Sequence, residues 1–339
     1  MATDQLTSRT VSDSSTTATR RRFRIDDRYI PVLGTVIVLI AMLAIGGHLY
    51  ENFLTGRVMA NVLINNGFLV VLAVGMTFVI LTGGIDLSVG AVLALSTCVS
   101  AWMFTHGWSA AFTIPVAVLV GTLIGLAVGL MVHVFEIQPF IATLAAMFLA
   151  RGLCYIVAPE SIPIADPVIV SLSTTRWPVY GTFVLTPSGV ISLAVVVIAF
   201  VTLHYTRFGR TVYAIGGSEQ SARLMGLPVA RTKVLVYVIS GTCAGIGGLL
   251  FAVFSRSGYS LTGVGMELDA IAAVVIGGTL LTGGSGFVLG SVLGVVVLGL
   301  IQTIITFQGT LSSWWTKIFI GALLLVFVVL QRLLAIRRR

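Results

Sequence analysis

The stretch LTGGIDLSVGAVLAL, residues 81–95, decides the fold because it joins a glycine turn to a strongly apolar segment. Later in the chain, residues 281–295 read LTGGSGFVLGSVLGV. Seven residues of the first stretch recur at positions 200 higher, namely Leu81, Thr82, Gly83, Gly84, Gly90, Val92 and Leu93. Because glycine accepts positive φ, the Thr-Gly-Gly of each copy is predicted to turn sharply between two helices.

The composition indicates a protein that lies in a membrane. Of the 339 residues, 57% are hydrophobic and only 9% are charged, whereas soluble domains contain roughly 25% charged residues. Water therefore cannot be the solvent for most of this chain. The sequence predicts one large all-α bundle that crosses the membrane many times, rather than two soluble domains.

Apolar runs of about 20 residues, the length of a helix that crosses a bilayer core, predict about ten transmembrane helices. The predicted spans are 30–49, 60–81, 86–105, 112–134, 139–158, 188–205, 234–254, 266–281, 286–307 and 314–332. The eighth, at 16 residues, is short enough to be partly re-entrant.

The two copies of the repeat each lie where one predicted span ends and the next begins. They are six spans apart, an even number, so both copies have the same orientation in the membrane. This indicates a parallel internal repeat rather than an inverted one. The matching segment is short, so convergent hairpin chemistry stands as the alternative to an ancient duplication.

Asp86 is the one charge in the repeat, because its counterpart is Gly286. It is predicted in the first turn of the third span, where free N–H groups and the helix dipole favour a carboxylate. Two interpretations are open: a helix cap at the membrane surface, or a functional role, either a contact with a cytoplasmic partner or gating. A proton relay would need a deeper position with a partner group. The residues assigned to the two hairpins are Gly83, Gly84, Asp86, Gly283 and Gly284.

Basic residues orient the predicted bundle, because cytoplasmic loops are enriched in Lys and Arg. With the N-terminus in the cytoplasm, 15 of the 20 Lys and Arg residues lie on the cytoplasmic side. Both termini are therefore predicted inside. The net charge of +8 then reflects the Lys and Arg residues of the cytoplasmic segments. RRFR at 21–24 is expected to face anionic lipid headgroups rather than nucleic acid.

The chain is expected to divide into a long membrane domain and two short ends. Residues 1–28 are predicted to be a disordered cytoplasmic tail, because Ser and Thr dominate there and large apolar residues are few. Residues 29–335 form the transmembrane domain, with an outer loop at 159–187 and a cytoplasmic loop at 206–233. Residues 336–339 form a basic cytoplasmic C-terminus.

No enzyme motif is present in the sequence. It contains no HExxH, no GxSxG and no GxxxxGK[ST], and its three cysteines lie singly in different spans, without a CxxC. The sequence therefore predicts no catalytic residue, no metal site and no ATP site in this chain.

The longest basic cytoplasmic segment, TRFGRTVYAIGGSEQSARLMGLPVARTK, covers residues 206–233. Ser218 fits an N-cap, Glu219 lies in the first turn, and Gly226 with the following Leu-Pro ends the helix, which predicts a short helix over 218–225. Leu224 and Met225 are apolar, although a cytoplasmic loop is expected to be exposed to water. An apolar tip indicates a socket on another protein; the alternative is that the helix packs on the bundle.

Several blocks of the sequence resemble the permease subunits of ABC importers for ribose and related monosaccharides. The blocks are GMTFVILTGGIDLSVGAVLAL (75–95), RFGRTVYAIGGSEQSARLMGL (207–227) and DAIAAVVIGGTLLTGGSGFVLGSVLG (269–294). TLSSWWTKIFIGALLL (310–325) and PESIPI (159–164) are similar to the galactofuranose permeases within this family. The resemblance covers residues 28–335 and leaves out the N-terminal tail.

The resemblance implies a dimeric pore that docks on a cytoplasmic ATPase through a coupling helix, which maps by position to 218–226. The residues assigned to it are Ser218, Glu219, Arg223, Leu224, Met225 and Gly226. The ATPase would bind ATP and Mg²⁺, and this chain would hold no cofactor. For galactofuranose permeases the resemblance implies a heterodimer of two permeases in the bacterial inner membrane, with a homodimer as second choice.

The resemblance also implies a sugar-binding protein that delivers the monosaccharide from outside. The 159–187 loop, with Glu160, Asp166 and Arg176, is the candidate docking surface. Ordinary solvated charge is the alternative explanation for these three residues.

A sugar path needs hydrogen-bonding groups in an otherwise apolar bundle. Polar residues inside the predicted spans are Asn65, Asn66, Thr143, Arg151, Glu267 and Asp269. A charge within a span is costly, so Arg151 is expected either to pair with Glu267 or to line the pore.

Three rival functions remain open from the sequence. The first is a permease for another pentose or hexose in the same machinery. The second is an ion-coupled secondary transporter, which needs a buried titratable site and gives the 206–233 loop no partner. The third is a membrane scaffold, which leaves the polar residues in the spans unexplained.

Overall fold

The computed structural model describes residues 30–312 and 314–336. The predicted tail at 1–28 and residues 337–339 of the predicted basic C-terminus lie outside the described residues.

Within these ranges, eight helices are long and apolar enough to cross a membrane. They are α1 (Ile30–Leu49), α2 (Gly56–Leu81), α4 (Ala110–His133), α5 (Pro139–Val157), α7 (Pro187–Tyr205), α10 (Val229–Ser255), α12 (Val288–Gln308) and α13 (Trp314–Ile336). Each corresponds to one predicted span. The prediction of an all-α integral membrane protein is confirmed.

Two predicted spans are shorter than expected. Helix α3 (Val89–Thr105) has 17 residues and begins three residues after the predicted start. Helix α11 (Met266–Ile276) has 11 residues, about 16 Å at 1.5 Å per residue, which is half of a bilayer core. The eighth span was predicted at 16 residues, short enough to be partly re-entrant, and the structure shortens it further: the helix ends at Ile276, and Gly278 has a positive φ of 94°.

The core of the bundle lies around α2 and α10. Every residue from Asn66 to Leu81 is buried, as expected for a helix that is apolar on all faces. Helix α10 packs closely on α4, where the backbones of Gly121 and Gly241 touch and a methyl group on either would collide with the other helix. Small residues at such crossings let two membrane helices approach closely.

The break after α11 leaves carbonyl groups without a helical partner, and side chains from two other helices bind them. The Thr35 hydroxyl of α1 donates to the Ile276 carbonyl. The Gln331 amide of α13 donates to the Val275 carbonyl at 3.1 Å. Irregular backbone at membrane depth is tolerated where protein groups satisfy it in this way.

The 159–187 loop is folded. Strand β1 (Ile162–Pro163) pairs antiparallel with β4 (Ser257–Gly258), with Ile162 opposite Gly258. Helix α6 (Pro167–Thr174) follows, and β2 (Trp177–Tyr180) forms a hairpin with β3 (Phe183–Leu185).

The 206–233 segment contains two helices, α8 (Arg207–Gly217) and α9 (Glu219–Leu224). Only α9 was predicted. The apolar residues Phe208, Val212 and Ile215 recur at helical spacing, which is the sequence signal for α8.

Candidate functional site

The two copies of the repeat meet at one end of the bundle. The Gly284 N–H of the α11–α12 connection donates to the Leu81 carbonyl at the end of α2, at 2.9 Å. Gly83 and Gly283 have positive φ angles of 79° and 83°. The prediction that the glycines of each copy form a turn is therefore confirmed.

Helix α8 joins these hairpins to the 206–233 segment. Gly216 lies against the Leu81 carbonyl and the Gly284 backbone, and a methyl group at Gly216 would collide with both. The Tyr213 hydroxyl donates to the Gly286 carbonyl at 2.7 Å. Burial raises the pKa of Tyr213 to about 12, so the hydroxyl stays protonated and keeps this bond.

Asp86 is buried, with 2% of its surface exposed. One carboxylate oxygen accepts from the Ser88 N–H at 2.9 Å and the Ser88 hydroxyl at 2.6 Å. The other accepts from the Ser240 hydroxyl of α10 at 2.7 Å. Asp86 lies three residues before α3 rather than in its first turn, and its partners are Ser88 and Ser240 rather than a group at the surface. It binds the residue before α3 and ties the first hairpin to α10.

The second copy has no room for an aspartate. A side chain at Gly286 would collide with Thr279, and the Gly286 carbonyl is used by α8. The charge is therefore kept in the copy that faces a serine of α10.

Helix α9 has the capping expected from the sequence. The Ser218 hydroxyl accepts from the Ser221 N–H at 3.2 Å, and Gly226 ends the helix with a φ of 72°. The helix is one residue shorter at each end than predicted. Leu224 and Met225 at its end are 83% and 66% exposed.

The other face of α9 is anchored to the bundle. Glu219 accepts from Arg223 at 2.6 Å and from Lys233 of α10 at 2.9 Å. Partial burial raises the pKa of Glu219, but the hydrogen bonds from Lys233 and Arg223 outweigh this effect and hold the pKa below its ordinary value. Ala222 is buried against α8 and the start of α10. Helix α9 therefore packs on the bundle with one face and leaves its apolar tip free.

Two cavities adjoin at Asn65, Phe68 and Phe254. The first, here called the amide cavity, measures about 370 Å³ and lies between α2, α11, α12, α13 and the end of α10. Its polar lining residues are Asn65, Asn66, Asp269, Gln302, Thr316 and Lys317. The second, the loop cavity, measures about 210 Å³. Its polar lining residues are Asn61, Asn65, Ser173, Arg176, Thr186 and Ser188.

Three of the six polar residues selected from the sequence thus line the amide cavity: Asn65, Asn66 and Asp269. The Lys317 ammonium binds both Asp269 carboxylate oxygens at 2.7 Å. Sequence reasoning missed Gln302 and Lys317 as partners of this group. Their sequence context could have identified them, because a polar or charged side chain in an apolar helix is costly and is therefore expected to be functional or paired. Gln302 and Lys317 both lie in such helices.

Thr143, Arg151 and Glu267 are placed elsewhere. The Thr143 hydroxyl is buried and donates to the Pro139 carbonyl at 3.0 Å. Arg151 donates to the Ser260 and Thr262 carbonyls at 2.7 and 2.6 Å, so it holds the turn before α11.

The expected ion pair between Arg151 and Glu267 does not form in the part of the chain that the structure describes. Glu267 instead accepts from the Gly265 N–H at 3.2 Å. The backbone carbonyls of the turn are nearer to the guanidinium and replace the carboxylate as its partners.

Two charged residues of the 159–187 loop have partners within the loop. Asp166 caps α6, since its carboxylate accepts from the Val168 N–H at 2.9 Å. Arg176 donates to the Ser173 and Thr175 carbonyls at 2.8 and 3.0 Å. Glu160 is exposed.

The described residues thus form a many-helix membrane bundle, with the small helix α9 at the end where the two glycine hairpins meet and its apolar tip exposed. The family described as the branched-chain amino acid transport system / permease component matches residues 58–328. The chain therefore belongs to this family of ABC transporter permeases.

Three relatives support this assignment. The chain is 47% identical over 311 residues to the inner membrane ABC transporter permease protein YjfF of Escherichia coli, covering 90% of this chain and 92% of the relative. It is 40% identical to the fructose import permease protein FruG of Bifidobacterium longum, covering 95% and 96%. It is 36% identical to the ribose import permease protein RbsC of Escherichia coli, covering 88% and 92%. No solved structure shows a significant match.

Proposed function

We propose that this chain is the permease subunit of an ATP-driven importer and carries a monosaccharide across the inner membrane. The observation that carries the proposal is the free apolar tip of α9, Leu224 and Met225, on a helix anchored to the bundle by Glu219. Relatives named as ribose and fructose import permeases support a sugar as the substrate. The resemblance noted in the sequence favours galactofuranose, with another pentose or hexose as the alternative.

This chain forms the translocation path, and other subunits bind ATP, deliver the sugar and complete the pore. A separate ATPase binds ATP and Mg²⁺ and docks on α9; this chain is not an enzyme and holds no cofactor. A sugar-binding protein delivers the substrate on the opposite side, at the 159–187 loop. A second, different permease completes the pore, with a homodimer as second choice. Both termini of this chain lie in the cytoplasm.

The contacts of α9 suggest how the ATPase moves the bundle. Lys233 binds Glu219 and lies in the second turn of α10. Ser240, two turns further along the same helix, holds Asp86 of the first hairpin. A displacement of α9 is therefore carried by α10 and α8 to both glycine hairpins, which lie where the path reaches the cytoplasm.

Co-purification tests this proposal. The tagged chain is extracted from its native membrane in mild detergent, together with Leu224→Asp and Met225→Asp. The wild-type chain is expected to bring an ATPase and a second permease, and each aspartate is expected to remove the ATPase alone, because a charge cannot enter an apolar socket.

Leu54→Asp is the matched control, because Leu54 is an exposed leucine far from α9 in the connection between α1 and α2. It is expected to leave the ATPase bound. If the wild-type chain is purified without an ATPase, the importer proposal fails and an ion-coupled transporter that uses the buried Asp86 takes its place.

A further inference from the structure

We infer that the amide cavity binds the monosaccharide in transit, and that Asn65 and Gln302 determine which sugar it accepts. The inference rests on the proposed function, since it names the place where the substrate is recognised along the path. The volume of about 370 Å³ falls in the range of about 300–1,000 Å³ that is typical of small-molecule sites.

The two amides are free to bind a ligand. In the part of the chain that the structure describes, the side chains of Asn65 and Gln302 make no hydrogen bond, and both residues are exposed in the cavity. Each amide has two N–H donors and a carbonyl acceptor. Sugar hydroxyl groups both donate and accept, so one amide can bind two neighbouring hydroxyl groups at once.

The ion pair makes the cavity suitable for a neutral ligand. Both oxygens of Asp269 are bound to the Lys317 ammonium at 2.7 Å, so the pair adds no net charge. The Lys317 ammonium that would bind an anion and the Asp269 carboxylate that would bind a cation are already bound to each other. A zwitterionic amino acid would have to separate the pair, and leaving a charge without a partner in a partly buried site is costly.

One wall of the cavity is aromatic. The rings of Phe68 and Phe254 lie 5.8 Å apart between centroids and line the same cavity as the amides. An apolar wall opposite a few polar groups is the usual composition of a small-molecule site. It matches a sugar ring, which has a C–H face and a rim of hydroxyl groups.

The exposure of these groups also disfavours hydrocarbon as the surface that the cavity faces. The Lys317 side chain is half exposed, and Asn65 lies ten residues into α2. An amide or ammonium group that faces hydrocarbon is strongly disfavoured. The mouth of the cavity therefore faces water or a second subunit, as a transport path does.

Cysteine protection tests the inference on the complete complex in membranes. Thr316→Cys, which lines the cavity and leaves both amides in place, is labelled with a membrane-impermeant maleimide in the presence of ribose, fructose, galactose or leucine. At a sugar concentration four times its Kd, the free fraction of the site and the labelling rate fall to about one fifth. We expect at least one sugar to give this protection, and leucine to give none.

Gln308→Cys is the control, because Gln308 is exposed, contacts Tyr50 and lies outside the cavity. Its labelling is expected to stay unchanged with every probe. Met266→Cys, which lines the same cavity from α11, provides a second measurement if Thr316→Cys does not insert into the membrane.

Two results would overturn the inference. One is unchanged labelling at both Thr316→Cys and Met266→Cys with all three sugars; the other is protection by leucine. If the wild-type chain still co-purifies with its ATPase, such a result rejects this site and leaves the proposed function standing. Absence of the ATPase instead rejects the proposed function itself.

Discussion

At the scale of single residues, Asp86 shows how one charge can be kept in an apolar bundle. Its three hydrogen-bond donors come from Ser88 and from Ser240, and a buried carboxylate is tolerated only when such donors surround it. The equivalent position in the second copy is Gly286, where Thr279 occupies the space of a side chain. The two halves of the repeat therefore share a backbone turn but not its chemistry.

Gly216 gives a prediction at this scale. Gly216→Ala places a methyl group against the Leu81 carbonyl and the Gly284 backbone. Overpacking of this kind costs about 1–3 kcal/mol, so the variant is expected to unfold at a lower temperature in detergent and to transport more slowly. The neighbouring Gly217→Ala is the control, because its methyl group would meet no atom within 4 Å. Equal stability of the two variants would contradict the close contact of α8 with the hairpins.

At the scale of elements, the short helix α9 is held by electrostatics and leaves its tip to a partner. Glu219 is shared between Arg223 and Lys233, whose side chains are 57% and 20% exposed. An exposed ion pair is worth little, so the less exposed Lys233 contact matters more. The pKa of Glu219 is lowered, so its contribution is present above the ordinary pKa of 4.5 and is lost as the pH falls through the lower folded value. The anchor is therefore intact at neutral pH.

A double-mutant cycle tests this anchor. Glu219→Gln and Lys233→Met are each expected to reduce the amount of ATPase that co-purifies, because each leaves α9 less firmly held. The double variant is expected to lose no more than either single one, since both changes remove the same interaction. Arg223→Met, the exposed partner, is expected to have the smaller effect. Additive losses would show that Glu219 and Lys233 act separately.

At the scale of the whole molecule, the proposed orientation places α9 in the cytoplasm and the β2–β3 hairpin outside. Leu224→Cys and Tyr180→Cys test it, because both positions are more than 80% exposed. An impermeant thiol reagent is expected to label Tyr180→Cys in intact cells and Leu224→Cys only in inside-out vesicles from cells that lack the ATPase. The native cysteines are all buried, so the wild-type chain is expected to stay unlabelled. Labelling of Leu224→Cys in intact cells would reverse the orientation.

The features that were predictable from the sequence are those set by neighbouring residues. Apolar runs locate the spans, Thr-Gly-Gly locates the two turns, and Ser218 with Gly226 brackets α9, since each depends on local hydrophobicity, φ angles or capping. The helix α8 was missed although the helical spacing of Phe208, Val212 and Ile215 was visible in the sequence.

What only the tertiary structure decided depends on residues far apart in the chain. The partner of Asp86 is 154 residues away, and that of Asp269 is 48 residues away. Arg151 binds the Ser260 and Thr262 carbonyls instead of Glu267, and both residues lie more than 100 positions from Arg151 in the chain. The early end of α11 is stable because Thr35 and Gln331 bind the freed carbonyls. Sequence alone determined which segments enter the membrane, because the bilayer selects for length and hydrophobicity; packing determined which polar groups meet, because a polar group in a dry bundle must find a partner wherever the fold brings one.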